Sequence, residues 1–209
     1  KNSAPRQTHS VHISGGNKTV RTKASLTYDD VDGLYSDRYF QRYMLRVNND
    51  FTINKMLGAT LDFSVRRAKN HRPIYSPFST MRLTPAVYPA TWEDGRLASG
   101  KSGGNPYGLM EMGGSVDAWS TQIGGKAAIE FKPFSGFNLS AVVAPYINYV
   151  KTKEFKKKAF YTLASDPDAF GGWLEDNATP YSTNKLTEER NDSYNVTAQL
   201  IANYMRTFD

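Results

Sequence analysis

Chemistry in this chain would have to come from carboxylates, histidines and hydroxyls. Its 209 residues include no cysteine, so no disulfide framework, thiolate metal site or cysteine nucleophile is available. His9 and His12 lie three apart in a segment that reads as a strand, which places them on opposite faces and makes them poor co-ligands; His71 falls in a loop. The run Asp166-Pro167-Asp168-Ala169-Phe170-Gly171 opens like a calcium loop, yet Phe170 takes a ligand position and Asn177 stands where a bidentate Glu is needed. The glycine-rich stretches 100–104 and 113–114 lack the Lys-Ser/Thr of a phosphate loop and the strand-to-helix setting of a dinucleotide site. The expectation is a non-enzymatic chain without metal or cofactor.

Binding chemistry is better represented. Two long stretches join the strands, 69–118, which is rich in Pro, Gly, Ser and Tyr, and 152–190, and loops of such length inside a compact fold are usually functional. They carry Tyr88, Trp92, Trp173 and Tyr181 together with Arg82, Asp94 and Asn105. Rings offer flat apolar faces to sugars or peptide side chains, while Arg, Asp and Asn fix orientation. The plainer role for each is to pack the loops against one another, since long loops need small cores of their own. Ser76-Pro77 has the form of a cap and first residue of a short helix running to about Leu83, stopped by Pro85.

Strands must position these loops. In 20–28, Val20, Thr22, Ala24, Leu26 and Tyr28 alternate with Arg21, Lys23, Ser25 and Thr27. The same period of two recurs in 42–51 (Tyr43, Leu45, Val47, Phe51) and in 57–66 (Leu57, Ala59, Leu61, Phe63, Val65). It returns in 122–132, 137–149 and 194–204. Successive side chains of a strand leave opposite faces, so each strand has one apolar and one wet face. With a first strand at 8–14, the expected strands are 8–14, 19–30, 38–52, 56–68, 119–132, 137–151 and a seventh after 190. Pro145 lies within the sixth, where the ladder must be interrupted or at an edge.

The connections alternate short, long, short, long along the chain. Antiparallel outer-membrane barrels have short periplasmic turns and long extracellular loops, an alternation a Greek-key sandwich has no reason to keep. With the short turns at the bottom, Phe51, Phe131, Phe137, Tyr204 and Phe208 gather at the lower end of the apolar face, and Tyr28, Tyr43, Trp119, Tyr149 and Tyr194 at the upper end. Between them sit mainly Ala, Leu, Val and Ile, the pattern of two aromatic girdles around a lipid-facing band. No apolar run approaches the length of a transmembrane helix. The fold expected is all-β: an antiparallel up-and-down sheet forming part of a large transmembrane β-barrel, with long extracellular loops, one containing a short helix. Seven strands do not close an even-numbered barrel, so the chain reads as a piece of one. The alternative is a soluble or surface-exposed carbohydrate-binding β module that hides its apolar face inside.

Net charge is +6, and the excess is spread thinly except at 151–158, so nucleic acid is not an expected partner. Lys151, Lys153, Lys156, Lys157 and Lys158 either solvate a strand end or face the phosphates of lipopolysaccharide at the upper, outward end of the sixth strand. On the wet face, cations outnumber carboxylates, which points towards anionic cargo.

Particular residues resemble one family. Ser14-Gly15-Gly16-Asn17 leading into Ala24-Ser25-Leu26-Thr27-Tyr28, then Asp32-Gly33-Leu34, Tyr39, Arg42-Tyr43 and Arg46-Val47-Asn48, is similar to the opening of the barrel in SusC/RagA-type TonB-dependent outer-membrane transporters of Bacteroidetes. Arg82-Leu83-Thr84-Pro85, Tyr88-Pro89, Asp94-Gly95 and Gly104-Asn105-Pro106 extend the resemblance over nearly the whole chain. It implies a barrel of about 22 strands filled by a plug domain and located in the cell outer membrane. It also implies import of glycans or peptides captured by a SusD-like lipoprotein lid, and energy delivered by TonB through the plug. Plug and TonB box are not expected in this chain.

Overall fold

A computed structural model of the chain describes residues 3–207 except 36, 77, 79, 80, 82, 83 and 167. Seven long strands form one antiparallel sheet: β1 (Arg6–Gly16), β2 (Val20–Asp32), β3 (Tyr39–Thr52), β4 (Leu57–Pro73), β5 (Gly114–Phe131), β6 (Phe137–Lys156) and, after four short strands, β11 (Lys185–Tyr204). Each pairs with its neighbours in sequence, in the order β1-β2-β3-β4-β5-β6-β11. The result is an up-and-down meander.

One end of the sheet is closed by tight turns with shared chemistry. The Asn17 side chain accepts hydrogen bonds from the backbone N–H of Thr19 and Val20 at 2.8 and 2.9 Å. Asn54 does the same for Met56 and Leu57 at 2.8 and 2.9 Å. Asparagine supplies such local turns because its short amide reaches backbone two or three residues on. The third turn needs Gly136, at φ 85°, where an added Cβ would sit 2.2 Å from the Met205 carbonyl oxygen. At the other end lie 33–38, 74–113 and 157–184.

The registers place every apolar row on one side. Across the sheet, Ile13 faces Ala24, Ala24 faces Val47, Val47 faces Phe63 and Phe63 faces Gly125. Among the described residues no second layer covers this side: in mid-sheet, Leu61, Phe63 and Val143 are 49%, 46% and 48% exposed. The two aromatic rows fall at its two ends, with Tyr28 and Tyr43 directly opposed at 4.8 Å. Phe208 lies outside the described residues. No described helix is long and apolar enough to cross a membrane.

The opposite side is held by polar partners standing directly across from one another, the sheet's unit of side-chain stabilisation. Arg42 binds Asp29 through Nε at 2.8 Å, and Thr8 donates to the other carboxylate oxygen at 2.8 Å. Asn48 donates to Asp62 at 2.8 Å, Thr60 to Asp50 at 3.2 Å, and Arg66 to Gln122 at 3.2 Å. As the proline requires, pairing between β5 and β6 lapses at Gly125-Lys126 and Ala144-Pro145, while β11 remains paired along β6 through the same residues.

Four strands extend further towards the long connections than the alternation indicates: β4 reaches Pro73, β5 starts at Gly114, β6 ends at Lys156 and β11 starts at Lys185. The added rows are mostly polar, and their few apolar residues, Val116, Phe155 and Leu186, do not keep a period of two, so the ladder continues where the hydrophobic signal has stopped. His71, expected in a loop, therefore stands in β4 opposite Asp117. His9 stacks on Tyr28, and His12 pairs with Ser25 on the other face. The helix expected from Ser76-Pro77 to Leu83 falls largely outside the described residues. The helix described in that connection is α1 (Pro106–Met112), which Asn105 caps by accepting the Gly108 N–H, with proline at the first turn. That is the same cap-and-proline signal.

Beyond the aromatic row, His71 bridges two carboxylates: Nδ1 is 2.9 Å from Asp117 and Nε2 is 3.1 Å from Asp37 in the 33–38 loop. Burial lowers its pKa, but the hydrogen bonds and charges of Asp117 and Asp37 outweigh burial and raise it above its ordinary value. A proton held more tightly in the folded state stabilises the bridge fully below the unfolded pKa of about 6.5, and that contribution is lost as pH rises through the higher folded value. Amide exchange in 33–38 is therefore expected to accelerate as pH is raised across that window beyond its intrinsic pH dependence. His71→Asn should flatten the excess; an unchanged excess in the variant would remove the bridge as its cause.

Candidate functional site

The buried core of this chain lies in its long connections rather than in the sheet. Tyr75, Leu109, Ala159, Leu174 and Tyr181 are buried together, with Ile74, Leu97, Met110 and Tyr161 packed around them. Gly108 lets α1 approach this core, since a Cβ there would lie 2.8 Å from Leu97 and 2.9 Å from Leu174. Two small hairpins complete it: β7 (Phe160–Thr162) pairs with β8 (Phe170–Trp173), and β9 (Glu175–Asp176) with β10 (Thr179–Pro180).

Several predicted site residues hold this assembly together. Asn105 is 2% exposed; its amide donates to the carbonyls of Ala90 and Ala98 at 2.8 and 2.7 Å while its oxygen caps α1. Trp92 donates its indole N–H to the Thr162 carbonyl at 2.9 Å, joining the two connections. Asp94 accepts from the backbone and guanidinium of Arg96, which hold its carboxyl below the usual carboxylate range. Arg96 in turn reaches Thr162 and the Leu163 carbonyl at 2.8 and 3.0 Å. Tyr181 lies in the core with the Lys156 ammonium 4.0 Å above its ring. Burial, followed by the charge of Asp176, pushes the hydroxyls of Tyr75 and Tyr181 up to about 12, so both stay neutral.

Tyr88 and Trp173 remain at the surface of this assembly. Trp173 packs edge-on to Phe170 at 4.9 Å and Phe160 at 6.2 Å, and both Phe rings are exposed. Tyr88 lines a hollow of about 210 Å³ with Met81, Pro85, Pro89 and Tyr107. A second hollow of about 200 Å³ adjoins it and shares Thr84, Gly104 and Pro106; Lys101, Glu175 and Asp176 line its polar end. Arg82 lies outside the described residues. The cleft thus offers an apolar end and a charged end, suited to an extended ligand with both characters. Tyr107, Lys101, Glu175 and Arg96 did not stand out in the sequence.

A third hollow, of about 570 Å³, lies on the polar face of the sheet where Gly124 carries no side chain. Arg46, Asp62, Lys126, Tyr146 and Asn195 surround it. Of the lysines in 151–158, Lys151 and Lys153 stand on the apolar face's extension beyond the aromatic row, opposite Arg190 and Glu188. Lys156 stands on the other face, against Tyr181, and Lys157 and Lys158 follow the strand.

No protein-family profile matches the chain, and no curated protein does. Solved structures do. A chain of the RagAB peptide importer in its closed-closed state matches with a TM-score of 0.63 and 21% identity, over 99% of this chain and 23% of that one. The open-open state of the same importer gives 0.59 and 17%, over 96% and 30%. A further RagAB peptide transporter structure gives 0.58 and 16%, over 95% and 30%. This chain spans less than a third of each of those chains. The likeness shows the fold: the sheet and its connections match part of each of those chains.

Asn105→Ala would leave two carbonyls and an N–H of a buried site without their partner, each costing about 1–3 kcal/mol. The expected result is loss of hydrogen-exchange protection across 90–108 with the β4–β6 ladder unchanged. Equal protection in the variant would show that Asn105 does not hold the assembly.

Proposed function

We propose that this chain is barrel wall and extracellular rim of a TonB-dependent importer in the outer membrane. The observation that carries the reading is the uncovered apolar face, bounded at both ends by outward aromatic rows and backed by a polar face of paired charges. Strands of eleven residues or more are long enough to cross a bilayer when tilted. The likeness to RagAB chains supports the same architecture. A soluble sandwich would need a cover over Leu61, Phe63 and Val143, and no element among the described residues supplies one.

In this reading the turns at Asn17, Asn54 and Gly136 face the periplasm and the connections 74–113 and 157–184 face the medium. Peptides or oligosaccharides are the cargo; the description of RagAB as a peptide importer and the mixed apolar and charged cleft favour peptides. A SusD-like lipoprotein closes over the rim, and TonB acts through a plug domain contributed from outside these residues. Tyr88 and Trp173 offer ring faces to cargo or lid. Asp94, Trp92, Asn105 and Tyr181 shape the rim from within. No step of this function breaks a covalent bond.

Full-length parent protein is expected to leave the membrane fraction only with detergent; release by salt or alkaline wash would end the membrane reading. Within the intact importer, Tyr88→Ala combined with Tyr107→Ala should raise the peptide concentration needed for half-maximal uptake by about tenfold, at about 0.5–1.5 kcal/mol per ring contact. Uptake unaffected by the double substitution would remove the cleft from cargo capture.

A further inference from the structure

The face that carries the apolar rows does not stay apolar to its end. Just beyond Tyr28, Tyr43 and Tyr149, the next positions on that face are Lys69, Trp119, Lys151 and Arg190, standing across from one another on β4, β5, β6 and β11. Here the side chains enclose a hollow of about 490 Å³ lined by Arg67, Trp119, Tyr149, Lys151, Arg190 and Asp192. Three cations from three strands meet a single carboxylate in that lining. Lys69 and Lys151 lie 5.7 and 5.8 Å from the centre of the Trp119 ring, which holds both ammonium groups beside it. Lys151 has Glu188 at 3.8 Å, a loose contact between half-exposed groups, and Lys69 has Asp117 at 3.4 Å. Neither Arg67 nor Arg190 has an ion-pair partner among the described residues.

Converging unpaired arginines are costly to keep together without an anion between them, and guanidinium suits phosphate by its fork of donors. The hollow sits where the apolar band gives way to charged rows, at the end that carries the long connections. A soluble anion has no need of such a boundary, whereas an amphiphile with acyl chains below and phosphates above matches it. More than one cation at fixed spacing suits a head group with more than one phosphate and no cation of its own, and the Trp119 and Tyr149 rings suit a sugar. We propose that this hollow binds the phosphorylated sugar head of a lipid A-type glycolipid in the outer leaflet. The proposal rests on the outer-membrane reading and adds to it a specific lipid site. It keeps Lys151 of the basic run, adds Arg67 and Arg190, and leaves Lys156 to the loop core.

The test uses detergent-solubilised full-length protein with bisphosphorylated lipid A, the same glycolipid stripped of phosphate, and inorganic phosphate as probes. Each cation near an anionic head group is worth about fivefold in binding. The triple variant Arg67→Gln, Lys151→Gln, Arg190→Gln should bind bisphosphorylated lipid A about a hundredfold more weakly, and wild type should bind the phosphate-free glycolipid no better than the variant does. Lys18→Gln, in the turn at the far end of the sheet, should bind as wild type does. Equal affinity of wild type and triple variant would overturn the site, as would equal loss in Lys18→Gln, which would mark general charge attraction. Inorganic phosphate bound as tightly as the glycolipid would assign a free anion and overturn the lipid. Should the triple variant fail to insert, Arg67→Gln alone, with an expected loss of about fivefold, carries the same decision. Protein that stays dispersed without detergent fails the membrane reading itself; protein that needs detergent yet loses no lipid affinity fails only this site.

Discussion

Slipping any one strand of this sheet by a single residue would turn its apolar row to the side of Asp29, Arg42 and Asp62, and carry paired charges onto the other. With no second layer over the apolar face among the described residues, burial there does not fix that register. The backbone ladder and the polar side do so instead. Asn17 and Asn54 set the phase at the turns, and Thr8-Asp29-Arg42, Asn48-Asp62 and Arg66-Gln122 maintain it along the strands. Even the unpaired stretch at Gly125 and Pro145 keeps step, because pairing resumes on both sides of it at the same offset.

Much of this sheet is legible in the residues because a strand with two unlike faces must alternate. The seven strands, their order and the face each residue takes follow from that period. The ends were hidden for a physical reason: around His71, Asp117, Lys153 and Glu188 the residues are mostly charged or polar and pair with one another, so nothing alternates although the ladder runs on. The helix at Pro106–Met112 carried a readable cap in Asn105 and Pro106, the same signal that marked Ser76-Pro77.

The long connections were harder to read, because the residue types that bind ligands also build small cores. Tyr181 and Asn105 are buried in packing, Trp92 and Asp94 work by joining segments, and Tyr88 and Trp173 keep surface positions. No local pattern distinguishes a tyrosine that packs from one that greets a ligand; that depends on partners up to seventy positions away, as Trp92 and Thr162 illustrate. Likewise, the basic run at 151–158 divides by parity once β6 is seen to continue through Lys156. Lys151 and Lys153 turn one way and Lys156 the other.

The bonds from Trp92 and Arg96 to Thr162 and Leu163, and the shared packing of Leu109 with Leu174, make 74–113 and 157–184 one body entered from four strand ends. Recombination that brought in either segment alone from a divergent gene would strand half a core. Exchange of both would cut only at the ends of β4, β5, β6 and β11. Diversification of these connections is accordingly expected to proceed in matched pairs, with the two segments inherited as a single cassette.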